Sequence, residues 1–284
     1  MPDTGLEQFL DWGTATTIAA SVGKVTGGSL EWDSALQHRE GIGAQDSIVG
    51  GPIVLGGSFD VILQSEAILA YAFRTGYTSP TMTALCFAGG TTGAGRKQTG
   101  AYINTLGLSG SVGEALTASI EWMALTDATY STAPTAYDTD LTWEWYNATC
   151  SIDGQALECQ SFEVSLNNNI EPIYSIDAKT DNSKRWPDSL KIGSQEVSVS
   201  CDVLTRPGDT TIDDILADTL TTDNTISITY LGGTSGTDKM TIALSNLARV
   251  SCSEPFVVGG GLVTYSLQFE AKKDASVFSV TVAA

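Results

Sequence analysis

Leu116-Thr117-Ala118-Ser119-Ile120-Glu121-Trp122-Met123-Ala124 recurs 147 positions later (263 against 116) as Val263-Thr264-Tyr265-Ser266-Leu267-Gln268-Phe269-Glu270-Ala271. In both stretches apolar residues alternate with Thr, Ser, Glu or Gln. Period two is the mark of a strand with one buried and one wet face. Two copies about half a chain apart predict an internal duplication.

The flanks read in the same order. Strands are expected around Val25–Trp32 and Leu157–Leu166, with the kernels Ser29-Leu30-Glu31 and Ser161-Phe162-Glu163 in correspondence. Polar loops follow at Asp33–Ser47, with Gly41-Ile42-Gly43, and at Asn167–Pro187, with Asn167-Asn168-Asn169. Loops of that length tend to make contacts. Next come strands at Gly57–Leu63 and Val197–Leu204, then one helix in each half. Ser65 is placed to cap the first, Ile68, Leu69 and Ala72 form its apolar face, and Gly76 stops it. Thr210 or Thr211 caps the second, whose face is Ile212, Ile215, Leu216 and Leu220, with Asp213 and Asp214 favourably placed in its first turn.

Hairpins are expected from Met82–Phe87 through Gly89–Gly95 into Gln98–Ile103, and from Thr225–Tyr230 through Gly232–Gly236 into Lys239–Leu244. Asn104 and Asn246 then close equivalent strands. The repeated motif ends each unit. A polar linker, Leu125–Trp143 with Ala133-Pro134-Thr135, separates the units, and an arm, Ser276–Ala284, ends the chain. The fold expected is mainly β: two tandem β-sandwich domains, residues 1–146 and 147–284, each with one short α-helix and long enough for its own core.

The formal charge of −19 is shared by both halves: 15 acids against 5 bases up to Tyr146, and 18 against 9 after it. An acidic surface repels DNA phosphates and phospholipid head groups, so grip on nucleic acid or membrane is not expected. Such a charge also suits solubility or a salty cytoplasm, with which the low lysine content is compatible. The opening Met1–Glu7 carries acids where a signal peptide needs bases, and no apolar run reaches the ~20 residues that cross a bilayer. A soluble protein kept inside the cell is expected. Cys86, Cys150, Cys159, Cys201 and Cys252 form no CxxC pair, which supports neither zinc nor a redox dithiol; buried free thiols are expected, with a Cys201–Cys252 bridge left open.

No catalytic constellation emerges, so no enzyme, cofactor or metal is expected. Gly90-Thr91-Thr92-Gly93-Ala94-Gly95-Arg96-Lys97 has Arg96 where a phosphate loop needs Lys and continues as strand rather than helix, so it reads as a hairpin turn. His38 is the one histidine, with no flanking residue to make a triad or metal site of it. Asp138-Thr139-Asp140 is too short for a calcium loop, and the sequon Asn147-Ala148-Thr149 matters only in a secreted protein. Asp60 and Asp202 occupy equivalent places, which suggests a shared structural hydrogen bond.

Two aromatic clusters stand out. Trp143-Glu144-Trp145-Tyr146, at the junction, can pack one copy on the other, fill an interface between chains, or fold back on its own domain. Lys184-Arg185-Trp186 joins two rare positive charges to a large aromatic; on so acidic a protein it suits an acidic neighbour such as another copy, or else its Trp folds back.

The repeated order of strand, long loop, strand, helix, hairpin and final strand, carried by Leu116–Ala124 and Val263–Ala271, resembles the tail tube proteins of long-tailed bacterial and archaeal viruses. The resemblance implies that each domain lends strands to an oligomeric β-barrel around a channel, that rings of six such domains stack, and that two tandem domains make a homotrimer mimicking a hexamer. It further implies contact with other tail proteins and a virion location after assembly in the host cytoplasm. The channel it implies is a negative lumen that lets DNA pass without adhering. By position the long loops, with His38, Arg39, Lys184, Arg185 and Trp186, would contact neighbouring rings, and Trp143, Trp145 and Tyr146 would pack domains or subunits. Ring closure would also cover strand edges that otherwise invite uncontrolled pairing. Alternatives are a tail terminator or baseplate hub protein, or a carbohydrate-binding or adhesin β-sandwich pair.

Overall fold

A computed structural model describes residues 8–13, 20–21, 23–39, 47–64, 67–73, 82–89, 94–130, 141–175, 185–205, 224–232, 238–253, 263–271 and 278–283. The strands of the first half are β1 (Gln8–Gly13), β2 (Ala20–Ser21), β3 (Gly23–Arg39), β4 (Ser47–Leu63), β5 (Met82–Gly89), β6 (Ala94–Ser111), β7 (Thr117–Ala124) and β8 (Thr126–Tyr130). Those of the second are β9 (Ala148–Ile152), β10 (Gln155–Asn167), β11 (Ile170–Ile173), β12 (Ser189–Ile192), β13 (Glu196–Thr205), β14 (Asn224–Gly232), β15 (Asp238–Ser253), β16 (Val263–Ala271) and β17 (Phe278–Ala283).

The repeated motif forms β7 and β16, and its alternation is a division of faces. Ala118, Ile120, Trp122 and Ala124 are buried while Ser119 and Glu121 are exposed. β7 lies between β4 and β6, and β16 lies between β13 and β15. With β3 beside β4 and β10 beside β13, the antiparallel order β3-β4-β7-β6 recurs as β10-β13-β16-β15. Irregularities recur with it. β3 bulges between Val25 and Gly27, and β10 between Cys159 and Ser161. β6 bulges between Ile103 and Thr105, and β15 between Arg249 and Ser251. Bulges re-aim a strand and fix its register, so their recurrence anchors the correspondence residue by residue.

That register corrects two expected matches. Asp60 faces Ser119 and Asp202 faces Ser266, as the repeat requires. Ser161, however, matches Gly27 and not Ser29, because these are the residues opposite the two aspartates on the other side. Asn104 matches Val250, not Asn246, and closes no strand: β6 runs through its bulge to Ser111. Side-chain volume explains one change between the copies. Trp122 lies opposite Gly57, where an added Cβ would come within 2.6 Å of the indole, whereas the smaller Phe269 lies opposite Val199.

β6 and β10 pair antiparallel from Thr105–Ser111 to Ser161–Asn167, which joins the two strand sets into one sheet. Pairing continues from β15 to β14, to β9, and from β9 back to β10, so the second set closes on itself. β8 and β17, each following a copy of the motif, return to pair with the first parts of β6 and β15. The expected linker Leu125–Trp143 is therefore partly strand. The buried apolar residues form one contiguous cluster that includes Phe59, Ile120 and Trp122 with Val199, Tyr230 and Phe269, rather than two separate cores.

Three further expectations change. The described part of Asp33–Ser47 is ladder, paired from Asp33↔Val54 to Arg39↔Ser47, because β3 and β4 remain partners past a bulge between Ser34 and Leu36. Within Asn167–Pro187, Ile170–Ile173 pairs with β12 as a separate two-stranded sheet. The first expected α-helix is a five-residue 3-10 turn, Ala67–Tyr71, whose Ile68 and Leu69 are wholly buried. Ala72 N–H donates to Leu69 three residues back, and inserting two side chains into the core needs no longer helix. The second expected helix, Ser65, Gly76, Gly41–Gly43, Pro134 and Asp138–Asp140 lie outside the described residues.

Candidate functional site: the acidic sheet face

The outward face of the joined sheet is built from the polar half of each alternation. One row crosses it as Gly27, Asp60, Ser119, Gly107, Ser165, Ser198, Glu270 and Ala248. Adjacent rows add Ser29, Ser58, Glu121, Thr105, Asn167 and Glu196 on one side, and Lys24, Ile62, Thr117, Ser109, Glu163, Ser200, Gln268 and Ser251 on the other. Asp60, Glu121, Glu163, Glu196 and Glu270 are exposed, as are Glu31 and Asp33 farther along β3. By backbone register Lys24 enters the last of these rows at the β3 edge, opposite Ile62; no other described Lys or Arg stands in them.

Short hydroxyls hold several of these acids across the strands. Thr105 donates to Glu121 at 3.0 Å. Asp202 accepts from Ser161 at 2.8 Å and from Ser266 at 2.6 Å, the structural bond expected at this position. Its counterpart Asp60 faces Gly27 where Asp202 faces Ser161, so that donor is missing from the first set. A depression of about 270 Å³ lies on this face between Glu163, Ser198, Gln268 and Glu270. The result is a broad surface of small polar side chains and fixed carboxylates, with a strong negative potential.

The residues singled out from sequence fall elsewhere. His38 and Arg39 pair through their backbones with Ile48 and Ser47 near the tip of the β3–β4 hairpin; their side chains, and all of Lys184, lie outside the described set. Arg185 Nε donates to the Gly51 carbonyl at 2.6 Å, and Tyr174 Oη to the Ile53 carbonyl at 3.0 Å. The segment after β11 thus folds back on the stretch of β4 that precedes its pairing with β7, and Trp186 packs against the core. The second long loop of the sequence therefore meets the part of β4 that pairs with the described part of the first.

At the junction the aromatics separate. Trp143 is 1% exposed, and its carbonyl accepts the Leu116 N–H at 2.8 Å. Trp145 and Tyr146 remain exposed at 41% and 65%, in edge contact 6.0 Å apart. They rim a cavity of about 440 Å³ shared with Val112, Cys150, Cys159, Phe162 and Tyr230. Cys150, Cys159 and Cys201 hydrogen-bond to one another beside it. Bonds from Cys150 and Cys201 hold the Cys159 thiol below the ordinary range. The bond to Cys159 and burial push Cys150 up to about 12, and the bonds to Cys150 and Cys159 together with burial push Cys201 up as well. Cys201 and Cys252 form no disulfide and lie in β13 and β15, with β16 between them.

Sequence reasoning missed two buried polar side chains that organise the site. Gln98 donates to the Gly56 carbonyl and accepts the Trp122 indole N–H at 2.6 Å. Asn168, 0% exposed, donates to the carbonyls of Ala72 and Ile103 and accepts from Gln195. Gln98 stands in the polar run Arg96–Thr99, so no break in an apolar pattern marked it.

The arrangement offers extended ladders and a repelling face and, among the described residues, no cluster of metal ligands. No curated protein sequence matches the chain. A family model described as phage tail tube protein matches residues 53–271, most of the length and both copies of the opening motif, and the chain belongs to that family.

Proposed function

We propose that this chain builds a tail tube in which its acidic sheet face lines the channel and lets viral DNA pass without adhering. Membership of the family makes it a structural component of the virion tail that assembles into a multimeric tube with other tail proteins. The finer reading rests on one observation: the carboxylates and hydroxyls of both strand sets share one continuous face, which carries Asp60 and Glu121 from the first and Glu163 and Glu270 from the second. A channel wall for DNA needs a smooth surface without phosphate-binding cations, because each Lys or Arg contact would hold the genome. The role is structural and not enzymatic.

The recurrence of the four-strand order supports two tandem tube-type units, residues 1–146 and 147–284, so that three chains would make a six-unit ring. Stacking of rings is assigned to the β3–β4 tip with His38 and Arg39, and to the segment carrying Lys184, Arg185 and Trp186. The bond from Arg185 to Gly51 brings these two regions to one end of β4. Trp145 and Tyr146, left exposed, are assigned to packing between subunits, and Trp143 to packing between the units. Assembly takes place in the host cytoplasm. Negative-stain electron microscopy of the purified protein over a range of salt tests the reading. Hollow tubes with threefold rings are the expected result; a monodisperse monomer throughout would overturn it, and closed rings that never stack would point to a tail terminator.

A further inference from the structure

We infer that neighbouring chains join by pairing the β3 edge of one with the β15 edge of the next, in the register already used inside the chain between β10 and β6. The inference rests on the self-assembling tube reading and adds which edges meet and in what alignment. Within one chain, β10 leads the second strand set and β6 closes the first, and the two are zipped together. By register β3 is the counterpart of β10, and β15 is the counterpart of β6. Among the described strands, β3 pairs on one side only, with β4, and the Ser251–Ser253 end of β15 pairs on one side only, with β16. A chain that ends in the two halves of a joint it also contains internally will associate head to tail, and such a heterologous contact closes into a ring or runs on as a filament.

The alignment follows from the shared bulges. Asn167↔Thr105, Leu166↔Leu106 and Ser165↔Gly107 in the internal joint become Asp33↔Ser251, Trp32↔Cys252 and Glu31↔Ser253 between chains. The two acids of β3 then face serines rather than other acids, which avoids the penalty of like charges directly opposite. The acidic face continues across the boundary without a break. Burial agrees with a missing neighbour: Leu106, flanked by β7 and β10, is 1% exposed, while its counterpart Cys252 is only half-buried.

Directly opposite residues on antiparallel strands have Cα atoms about 4.5–5.5 Å apart, within the range a disulfide spans. The test is a Glu31→Cys/Ser253→Cys double variant, assembled under reducing conditions, examined by electron microscopy, oxidised with glutathione disulfide and run on a non-reducing gel. Both positions are on the exposed polar face, so folding is not at stake. Gly107→Cys/Ser165→Cys is the positive control; it should form a bridge within one chain, since the nearest atom to a Cβ on Gly107 is 3.9 Å away. Expected are tubes or rings whose subunits become linked between chains, at least tenfold more than in either single variant or in Glu31→Cys/Ser251→Cys, which is two residues out of register. Tubes that do not cross-link, or that cross-link equally in the shifted pair, overturn this joint and leave the tube reading standing. Failure of the unmodified protein to assemble in any salt overturns both.

Discussion

Asn168 donates from its amide to the carbonyl oxygen of Ala72 at 2.9 Å, across 96 positions of chain and between the two strand sets. The same amide reaches Ile103 at 2.9 Å, and its carbonyl accepts from Gln195 at 2.8 Å. Truncation would take this donor from the Ile103 carbonyl and leave the Ala72 carbonyl with the longer 3.4 Å bond from Gln195, as well as remove the bonds themselves. Orphaned buried groups cost more than the bonds themselves contribute. Asn168→Ala is expected to lower the free energy of unfolding by roughly 2–4 kcal/mol, read as a lower urea midpoint. A midpoint within error of the parent would show that the bonds are dispensable.

Two buried tryptophans should respond differently to the same change. Trp122 donates to Gln98 at 2.6 Å, whereas the indole nitrogen of Trp143 is buried with no hydrogen-bond partner. Trp122→Phe leaves the Gln98 acceptor without that donor and opens space over Gly57, at a cost of about 2–3 kcal/mol. Trp143→Phe loses apolar area but removes an orphaned donor, and the two effects offset to within about 1 kcal/mol. Thermal unfolding of the two variants compares them directly; equal losses would refute the distinction.

What the sequence made legible follows from what period two encodes. The motif at Leu116–Ala124 and Val263–Ala271 fixes inward and outward faces, so the strands, both hairpins and the equivalence of Asp60 with Asp202 could be read from it. Register across a bulge could not, because one extra residue moves every later partner; hence the two-residue error at Ser29 and the false match of Asn104 with Asn246. The helix expected at Ser65–Gly76 shows the limit of spacing: Ile68, Leu69 and Ala72 at i, i+1 and i+4 fit a single buried turn equally well. The acidic face was present in β7, β10 and β13 as Ser, Thr, Asp and Glu at alternate positions. Its continuity depends on the β6–β10 joint, a long-range pairing that no local pattern announces.

Alkaline pH should destabilise the fold through buried acids that must keep their protons. Tyr230, 2% exposed, has its phenol raised above the ordinary 10.0 chiefly by burial, and Cys150 is raised from 9.0 to about 12. A group that binds its proton more tightly when folded contributes stability that is complete below its unfolded value and is lost as pH rises. The urea midpoint is therefore expected to fall from about pH 9 upward. Tyr230→Phe should flatten the part of the fall above about pH 10; an unchanged slope would remove Tyr230 from the account. Cys159, shifted the other way, contributes above pH 9 and loses that contribution as pH falls toward its folded value.

The three clustered thiols should also differ in reactivity. Cys159 is half-buried and its bonds to Cys150 and Cys201 hold its thiol below the ordinary range, while burial and bonding push Cys150 and Cys201 up. The thiolate is the nucleophile. Iodoacetamide at neutral pH is expected to label Cys159 before either of the others, by at least an order of magnitude in rate on peptide mapping. Preferential labelling of Cys201 in the native protein would contradict this ordering.

Charge reversal on the acidic face tests its proposed role most directly. Glu121→Lys and Glu163→Lys place one cation in each strand set, at exposed positions whose neighbours are Thr105, Ser109 and Ser200, so the ladders are left intact. Tubes that carry both changes should retain double-stranded DNA at low ionic strength and release it as salt rises, since each phosphate contact adds about 0.9 to the slope of log affinity against log salt. Glu171→Lys, in the separate β11–β12 sheet where Glu171 pairs with Lys191 at 3.1 Å, alters net charge equally per site but lies off the face. It should leave DNA unbound inside the tube. Retention that tracks total charge, with Glu171→Lys as effective as either change on the face, would remove Glu121 and Glu163 from the channel wall.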